Sequence, residues 1–169
     1  MNDGKPGPAP KKGYATGFLL AGLCLAAVAG GVSTDISQLQ EMGARKRLFG
    51  FHPHPHQLIM PLFLHFGWVH WACNVVSLAS LALSLEVLAG PAMVIFLFFF
   101  SGVASIMVSL EMNPQVTSLG CSGAVFGMLA ARVVHSWWPP QAGDRFRWLI
   151  VVLLVAALTF LPTLHLPVD

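Results

Sequence analysis

The chain has 169 residues, of which 56 % are apolar (Ala, Val, Ile, Leu, Met, Phe, Trp, Tyr, Cys) and only 9 % charged, with a formal net charge of +2. That balance excludes an ordinary soluble domain, and so small a charge gives no reason to expect nucleic acid as a partner. The apolar residues come in long uncharged runs rather than ten-residue alternating segments, so the expected class is an all-α integral membrane protein, not an outer-membrane barrel.

Met1 to Lys12 is rich in Gly, Pro and Lys without apolar periodicity, and predicts a flexible cytoplasmic tail over 1–14 ahead of one membrane domain over 15–169. Ala15 to Val32 is the first uncharged run. Basic residues before an apolar stretch that ends in small residues also describe a secretory signal, but this run is longer than a usual signal core. Ser33 to Gln57 is mostly polar, a long loop of a kind that is often functional. Within it His52, His54 and His56 alternate with Pro53 and Pro55. Imidazoles are good ligands for zinc, copper and nickel. Held in an extended stretch at a spacing of two, however, they point to alternate sides, and no acidic or cysteine partner lies nearby. No metal or other cofactor is expected. Cys24, Cys73 and Cys121 lie in different apolar segments without metal-type spacing and read as small buried hydrophobes.

Leu58 to Leu85 carries no formal charge, yet Pro61 and Gly67 oppose a straight helix, so the second helix is expected from near Trp68. It contains His70 and Asn74, four apart and therefore on one face. Polar side chains at that depth either bond neighbouring helices or line a cavity. Glu86 and Gly90 close this helix, and Pro91 to Leu110 predicts the third, with Ser101 and Ser105 as a small face. Glu111 to Leu119 is a short polar loop leading to a serine helix over Ser122–Trp137, which spans only with its polar mouth sunk below the membrane surface. Trp137, Trp138, Pro139 and Pro140 end it at an interface. Trp148 to Leu164 predicts a fifth span, and neither an internal repeat nor a second domain is visible.

With the tail inside, Lys5, Lys11, Lys12, Arg132, Arg145 and Arg147 fall on the cytoplasmic side and Arg45, Lys46 and Arg47 outside, six against three. The N-terminus is therefore expected in the cytoplasm, in a membrane such as the bacterial inner membrane. The same orientation brings the mouth carrying Ser122 to the outer leaflet, where the His70 and Asn74 end of the second helix also lies. Gly123, Gly127 and Ala131 recur every four residues, leaving one side of the serine helix almost bare backbone for close helix contact. Ser122 is thus either a small packing residue or a nucleophile set beside activating groups.

Leu64-His65-Phe66-Gly67-Trp68-Val69-His70, Asn74 four later, Glu86 and Gly90, and then Gly120-Cys121-Ser122-Gly123-Ala124-Val125-Phe126-Gly127 resemble the rhomboid intramembrane serine proteases. The likeness runs from about Gln57 to Phe126 and continues weakly to the end. It implies a rhomboid-like helical bundle with five transmembrane helices present, in which Ser122 attacks the scissile carbonyl. It also implies that His70 and Asn74 donate to the oxyanion together with backbone N–H groups around Gly120 and Cys121. Phe126 matches the aromatic against which the family's catalytic histidine packs, and His65 and Gly123 match supporting positions. The loop between the first two helices would lie partly in the membrane, although His56-Gln57 stands where many members have a tryptophan and a polar residue. The residue types suit these roles, since an amide and an imidazole N–H in a water-poor site stabilise an oxyanion strongly.

The family's general base is a histidine early in a sixth helix. Leu166-Pro167-Val168-Asp169 looks like the lead-in to that helix, so the sixth core helix and its histidine are expected to be missing and the domain incomplete at its C-terminus. His165 precedes the lead-in. His135 lies thirteen residues along the serine's own helix, about 20 Å away, and is not expected to reach Ser122. The expected function is an intramembrane serine endopeptidase acting on transmembrane substrates near the outer side of the lipid bilayer. The alternative is a rhomboid-like pseudoprotease that binds transmembrane helices without cutting them. A histidine-dependent metal transporter is a third class, because intramembrane His and Asn can mark ion paths. No oligomeric state follows from the sequence.

Overall fold

A computed structural model describes residues 13–44, 55–112 and 115–137. The tail up to residue 12, His52, His54, the predicted fifth span Trp148–Leu164 and His165 lie outside the described residues, as does the side chain of His56. Among the described residues, three helical stretches are long and apolar enough to cross a membrane: Tyr14–Gly31, Gly67–Ala89 and Pro91–Met112.

Helix α1 (Tyr14–Ala26) follows Gly13 and continues as a π-helical turn over Ala27–Gly31. Tyr14, the last residue of the stretch 1–14 expected as a tail, is already helical. Gly30, at φ +92°, breaks the turn and redirects the chain into β1 (Val32–Ser33). Such a backbone angle favours glycine. The loop predicted from Ser33 contains a short helix, α2 (Ile36–Glu41), because Asp35 accepts hydrogen bonds from the Ser37 and Gln38 amides at 2.8 and 3.4 Å. Asp is a strong N-cap residue.

Helix α3 (Pro55–Ile59) tightens into a 3₁₀ turn over Met60–Phe63 at Pro61, and β2 (His65–Phe66) then pairs parallel with β1, Val32 opposite His65. Helix α4 (Gly67–Ala89) begins within a residue of the expected start and is separated from α5 (Pro91–Met112) by Gly90 alone. Helix α6 (Ser122–Trp137) has 16 residues. It rises about 24 Å, less than a hydrocarbon core of about 30 Å. His70 in the first turn of α4 lies against Gly120, two residues ahead of α6, so α4 and α6 start on the same side.

Leu19 and Leu23 of α1, Leu62 of the 3₁₀ turn, Leu78 and Leu81 of α4, Val94 and Phe98 of α5, and Val125 and Met128 of α6 form one buried core. Outward faces carry Trp68, Val76, Leu83, Phe96 and Phe100, all exposed as lipid-facing residues should be. The closest helix contact is between α5 and α6. A Cβ built on Gly123 would overlap the side chain of Ser105, and one on Gly127 that of Ser101. The bare side of the serine helix and the small face of the third helix are thus the two halves of one interface.

Several polar groups between the helices are paired. Glu86, 2 % exposed, accepts the Ala15 amide at 3.2 Å, the Thr16 amide at 3.0 Å and the Thr16 hydroxyl at 2.8 Å. A carboxylate at the end of α4 therefore caps the first turn of α1, where helical amides have no partner of their own. The Trp71 indole donates to the Leu23 carbonyl at 3.3 Å, and Arg132 Nε to Ser84 Oγ at 2.8 Å.

Glu86→Ala should destabilise the protein by about 1–3 kcal/mol, seen as a lower unfolding midpoint in detergent, because buried amides lose their acceptor. Glu86→Gln, which keeps one acceptor oxygen, should recover part of the loss. Gly127→Val should cost about 1–3 kcal/mol by overpacking. Adding Ser101→Gly should restore most of the midpoint, whereas a second substitution far from α5 should not.

Candidate active site

The site is assembled where the turn entering α6 meets the segment between α3 and α4. Gly120 sits at φ +97°, and its amide donates to the Pro61 carbonyl at 2.8 Å. A Cβ on Gly120 would lie 2.9 Å from His70 Cε1 and 3.3 Å from His70 Nε2. Only a glycine allows both this backbone angle and this approach. The next amide, that of Cys121, donates to His65 Nε2 at 3.5 Å, and Cys121 Sγ lies 3.6 Å from the same nitrogen. His65 Nδ1 is 3.3 Å from the Phe63 carbonyl. A carbonyl only accepts, so Nδ1 carries the proton and Nε2 is the acceptor. The two imidazoles meet edge to face with centroids 5.2 Å apart.

His65 is fully buried, and that burial, with His70 beside it, pushes its pKa down to about 3 despite the bond to Phe63. The ring is neutral at physiological pH. Burial pushes the Cys121 thiol up to about 12, so it remains protonated. Of the other two cysteines, Cys73 is half-buried and Cys24 is exposed on the outer face of α1. The expectation that all three are buried holds for Cys121 alone, since a lipid-facing cysteine satisfies hydropathy equally well.

Ser122 is the half-buried first residue of α6. The first bond of this helix runs from the Val125 amide to the Cys121 carbonyl at 3.0 Å, so the Ser122, Gly123 and Ala124 amides belong to the open mouth. They carry the positive end of the helix dipole. Asn74, one turn deeper than His70 on α4, is buried, and its Nδ2 donates to the His70 carbonyl at 3.0 Å. Its Oδ1 is buried without a partner. Phe126 lies one turn below Ser122 and packs against the main core, and Gly123 faces Ser105.

His65, His70, Gly120 and Cys121 thus meet directly beside Ser122, while Asn74 reaches them through the His70 carbonyl. Sequence reasoning missed the ties that hold this turn. Gln40 Nε2 donates to Thr117 Oγ1 at 2.8 Å and the Ser118 hydroxyl to Ser109 Oγ at 2.7 Å. Leu39, Ala44 and Leu64 form a second small core against Leu119. No local pattern marks these pairings, although Asp35 signals the helix that carries Leu39 and Gln40. Among the described residues, no three His, Cys, Asp or Glu side chains are grouped as a metal requires. An apolar cleft lined by Leu85, Met93, Leu97, Val134 and His135 lies at the opposite end of the bundle from Ser122.

The Rhomboid domain matches residues 52–167, more than half of the chain. RHOMBOID-like protein 5 of Arabidopsis thaliana is 28 % identical over 135 residues, covering 76 % of this chain and 44 % of that protein. Rhomboid protease GluP of Bacillus subtilis is 30 % identical over 101 residues, covering 60 % of the chain and 20 % of that protein. Inactive rhomboid protein 2 of Homo sapiens is 34 % identical over 86 residues, covering 50 % and 10 %. The chain spans less than half the length of these relatives, which include a named protease and a protein named inactive. No solved structure matches the chain. The domain match agrees with a bundle of membrane-length helices built around a glycine-flanked serine, and the chain belongs to the rhomboid family.

Proposed function

We propose that the chain is the membrane core of a serine endopeptidase that cleaves transmembrane helices near the outer face of the bilayer, with Ser122 as nucleophile. One observation carries this assignment: the Cε1–Nε2 edge of His70 rests on Gly120, two residues ahead of Ser122. A donor nitrogen on α4 and the amides at the mouth of α6 therefore border one space. As Ser122 Oγ bonds to the scissile carbon, the carbonyl oxygen gains charge. His70 Nε2–H, the second Asn74 amide hydrogen and the Ser122 N–H are the donors for it. Gly120 and Cys121 serve through their backbone, and Phe126 supplies an apolar wall one turn below.

The serine proton must pass to a base and then to the leaving amine, after which water hydrolyses the acyl-enzyme. His135 is thirteen residues along α6, about 20 Å of helix from Ser122, and is excluded. The base comes from residues beyond those described. A substrate helix must also unwind, at several kcal/mol for each freed backbone group, so Gly or Pro near its outer end favours cleavage. A cytoplasmic N-terminus, from the six-to-three distribution of basic residues, puts the Ser122 mouth on the outer side.

The competing class is a rhomboid pseudoprotease that holds transmembrane helices intact. Similarity to a protein named inactive and the commitment of one Asn74 amide hydrogen to the His70 carbonyl favour it. The full-length protein in liposomes with a model substrate carrying Gly-Pro near its outer end separates the two. Cleavage is expected, abolished by Ser122→Ala, with a loss on the order of 10⁶-fold as in soluble serine proteases. His70→Ala should lower kcat by about 10² to 10³-fold, the cost of one oxyanion donor. Substrate that co-purifies uncut with the wild-type protein would instead identify the pseudoprotease.

A further inference from the structure

The two amides ahead of Ser122 are both engaged, that of Gly120 by the Pro61 carbonyl at 2.8 Å and that of Cys121 by His65 Nε2 at 3.5 Å. Both acceptors belong to the segment that leads into α4. The His65 ring is held at both nitrogens, since Nδ1–H donates to the Phe63 carbonyl at 3.3 Å. It therefore cannot turn without losing one bond. The ring is fully buried and its edge contact with His70 fixes a third side. Nothing in this arrangement requires His65 to exchange a proton. It acts as a neutral acceptor, and the Cys121 sulfur 3.6 Å from Nε2 crowds out any other donor.

We infer that His65 is a positioning residue for Ser122: by accepting the Cys121 amide it fixes the turn that enters α6, and leaves the Ser122 amide as the first backbone N–H open to the oxyanion. The consequence for rate rests on the protease assignment above; the amide bond itself does not. Without that bond the Cys121 peptide can rotate, and both Ser122 Oγ and its amide shift relative to His70. Misplacement of about 1 Å is enough to lower a rate by about 10²-fold.

Three variants of the full-length protein test this. His65→Leu removes both ring bonds. His65→Asn keeps a polar group near Nδ1 but none near Nε2, and His65→Gln brings an acceptor oxygen to the Nε2 position. Hydrogen exchange of the 118–124 segment, compared with segments of α4 and α5, reads the pin directly. The rate and final extent of fluorophosphonate labelling at Ser122 read its effect on the nucleophile. In the Leu and Asn variants, exchange at Cys121 should rise about tenfold, the loss of roughly one hydrogen bond, while α4 and α5 stay unchanged. Labelling should slow by about 10- to 100-fold at undiminished extent, and His65→Gln should restore most of both. A merely structural role predicts reduced extent with faster exchange throughout the bundle, and that result overturns the inference. Unchanged exchange at Cys121 in both the Leu and Asn variants overturns it as well. If the wild-type protein is not labelled at all, the protease assignment fails, and the exchange comparison still decides whether His65 pins the turn.

Discussion

The Gly120 amide and the Pro61 carbonyl, 2.8 Å apart, join two stretches separated by about sixty residues of chain, and the geometry at Ser122 depends on that junction. Proline at position 61 prevents α3 from running into α4, and its carbonyl, which accepts the Leu64 amide at 3.3 Å to close the 3₁₀ turn, keeps a second lone pair for Gly120. Glycine at position 120 lets the partner backbone come close enough to receive it. Around this bond His65 takes the next amide, His70 covers the glycine, and the Gln40–Thr117 and Ser118–Ser109 pairs hold the flanks. The nucleophile candidate itself needs no unusual contact. It inherits its position from a turn whose hydrogen bonds are satisfied on both sides.

Below this polar end the bundle follows membrane logic. Lipid is as apolar as the core, so helices gain little from burying more leucine, and specificity comes from shape and from paired polar groups. Both devices are present. Ser101 and Ser105 fit against Gly127 and Gly123, and Glu86, Trp71 and Arg132 each tie α4 to a different neighbour or part of one. The Glu86 tie is buried and those of Trp71 and Arg132 are half-buried, whereas Phe96, Phe100 and Trp68 face outward. The helix that carries Ser122 is thus locked laterally by small residues and axially by the turn above it.

Much of this was legible in the sequence. The uncharged runs, the Gly90-Pro91 punctuation and the glycine spacing after Ser122 located α4, α5 and α6 to within about two residues. The HxxxN pair and the Gly-x-Ser-Gly mouth singled out His70, Asn74 and Ser122. What stayed hidden was pairing at a distance. The β1–β2 contact joins residues 33 apart, and His65 meets Cys121 at a separation of 56. Neither has a local periodicity to betray it. Glu86 stood out as a lone charge at the end of an apolar helix, yet nothing near it named Thr16 as its partner. The exposure of Cys24 was likewise unreadable, because in a membrane an apolar run does not distinguish the face turned to lipid from the face turned to protein.

The single-residue connection at Gly90, with φ +83° and nothing within 4 Å of where a Cβ would sit, has a consequence for biogenesis. Two spans of 23 and 22 residues joined by one glycine have no polar loop with which to pause in the aqueous phase between them. They form a helical hairpin with no polar linker between its limbs. The hairpin carries the Glu86 carboxylate in the last turn of its first limb. Because α1 is synthesised earlier, its uncapped amino end is already in place to receive that charge. The order in which the ribosome delivers the spans therefore matches the order in which their electrostatic demands can be met.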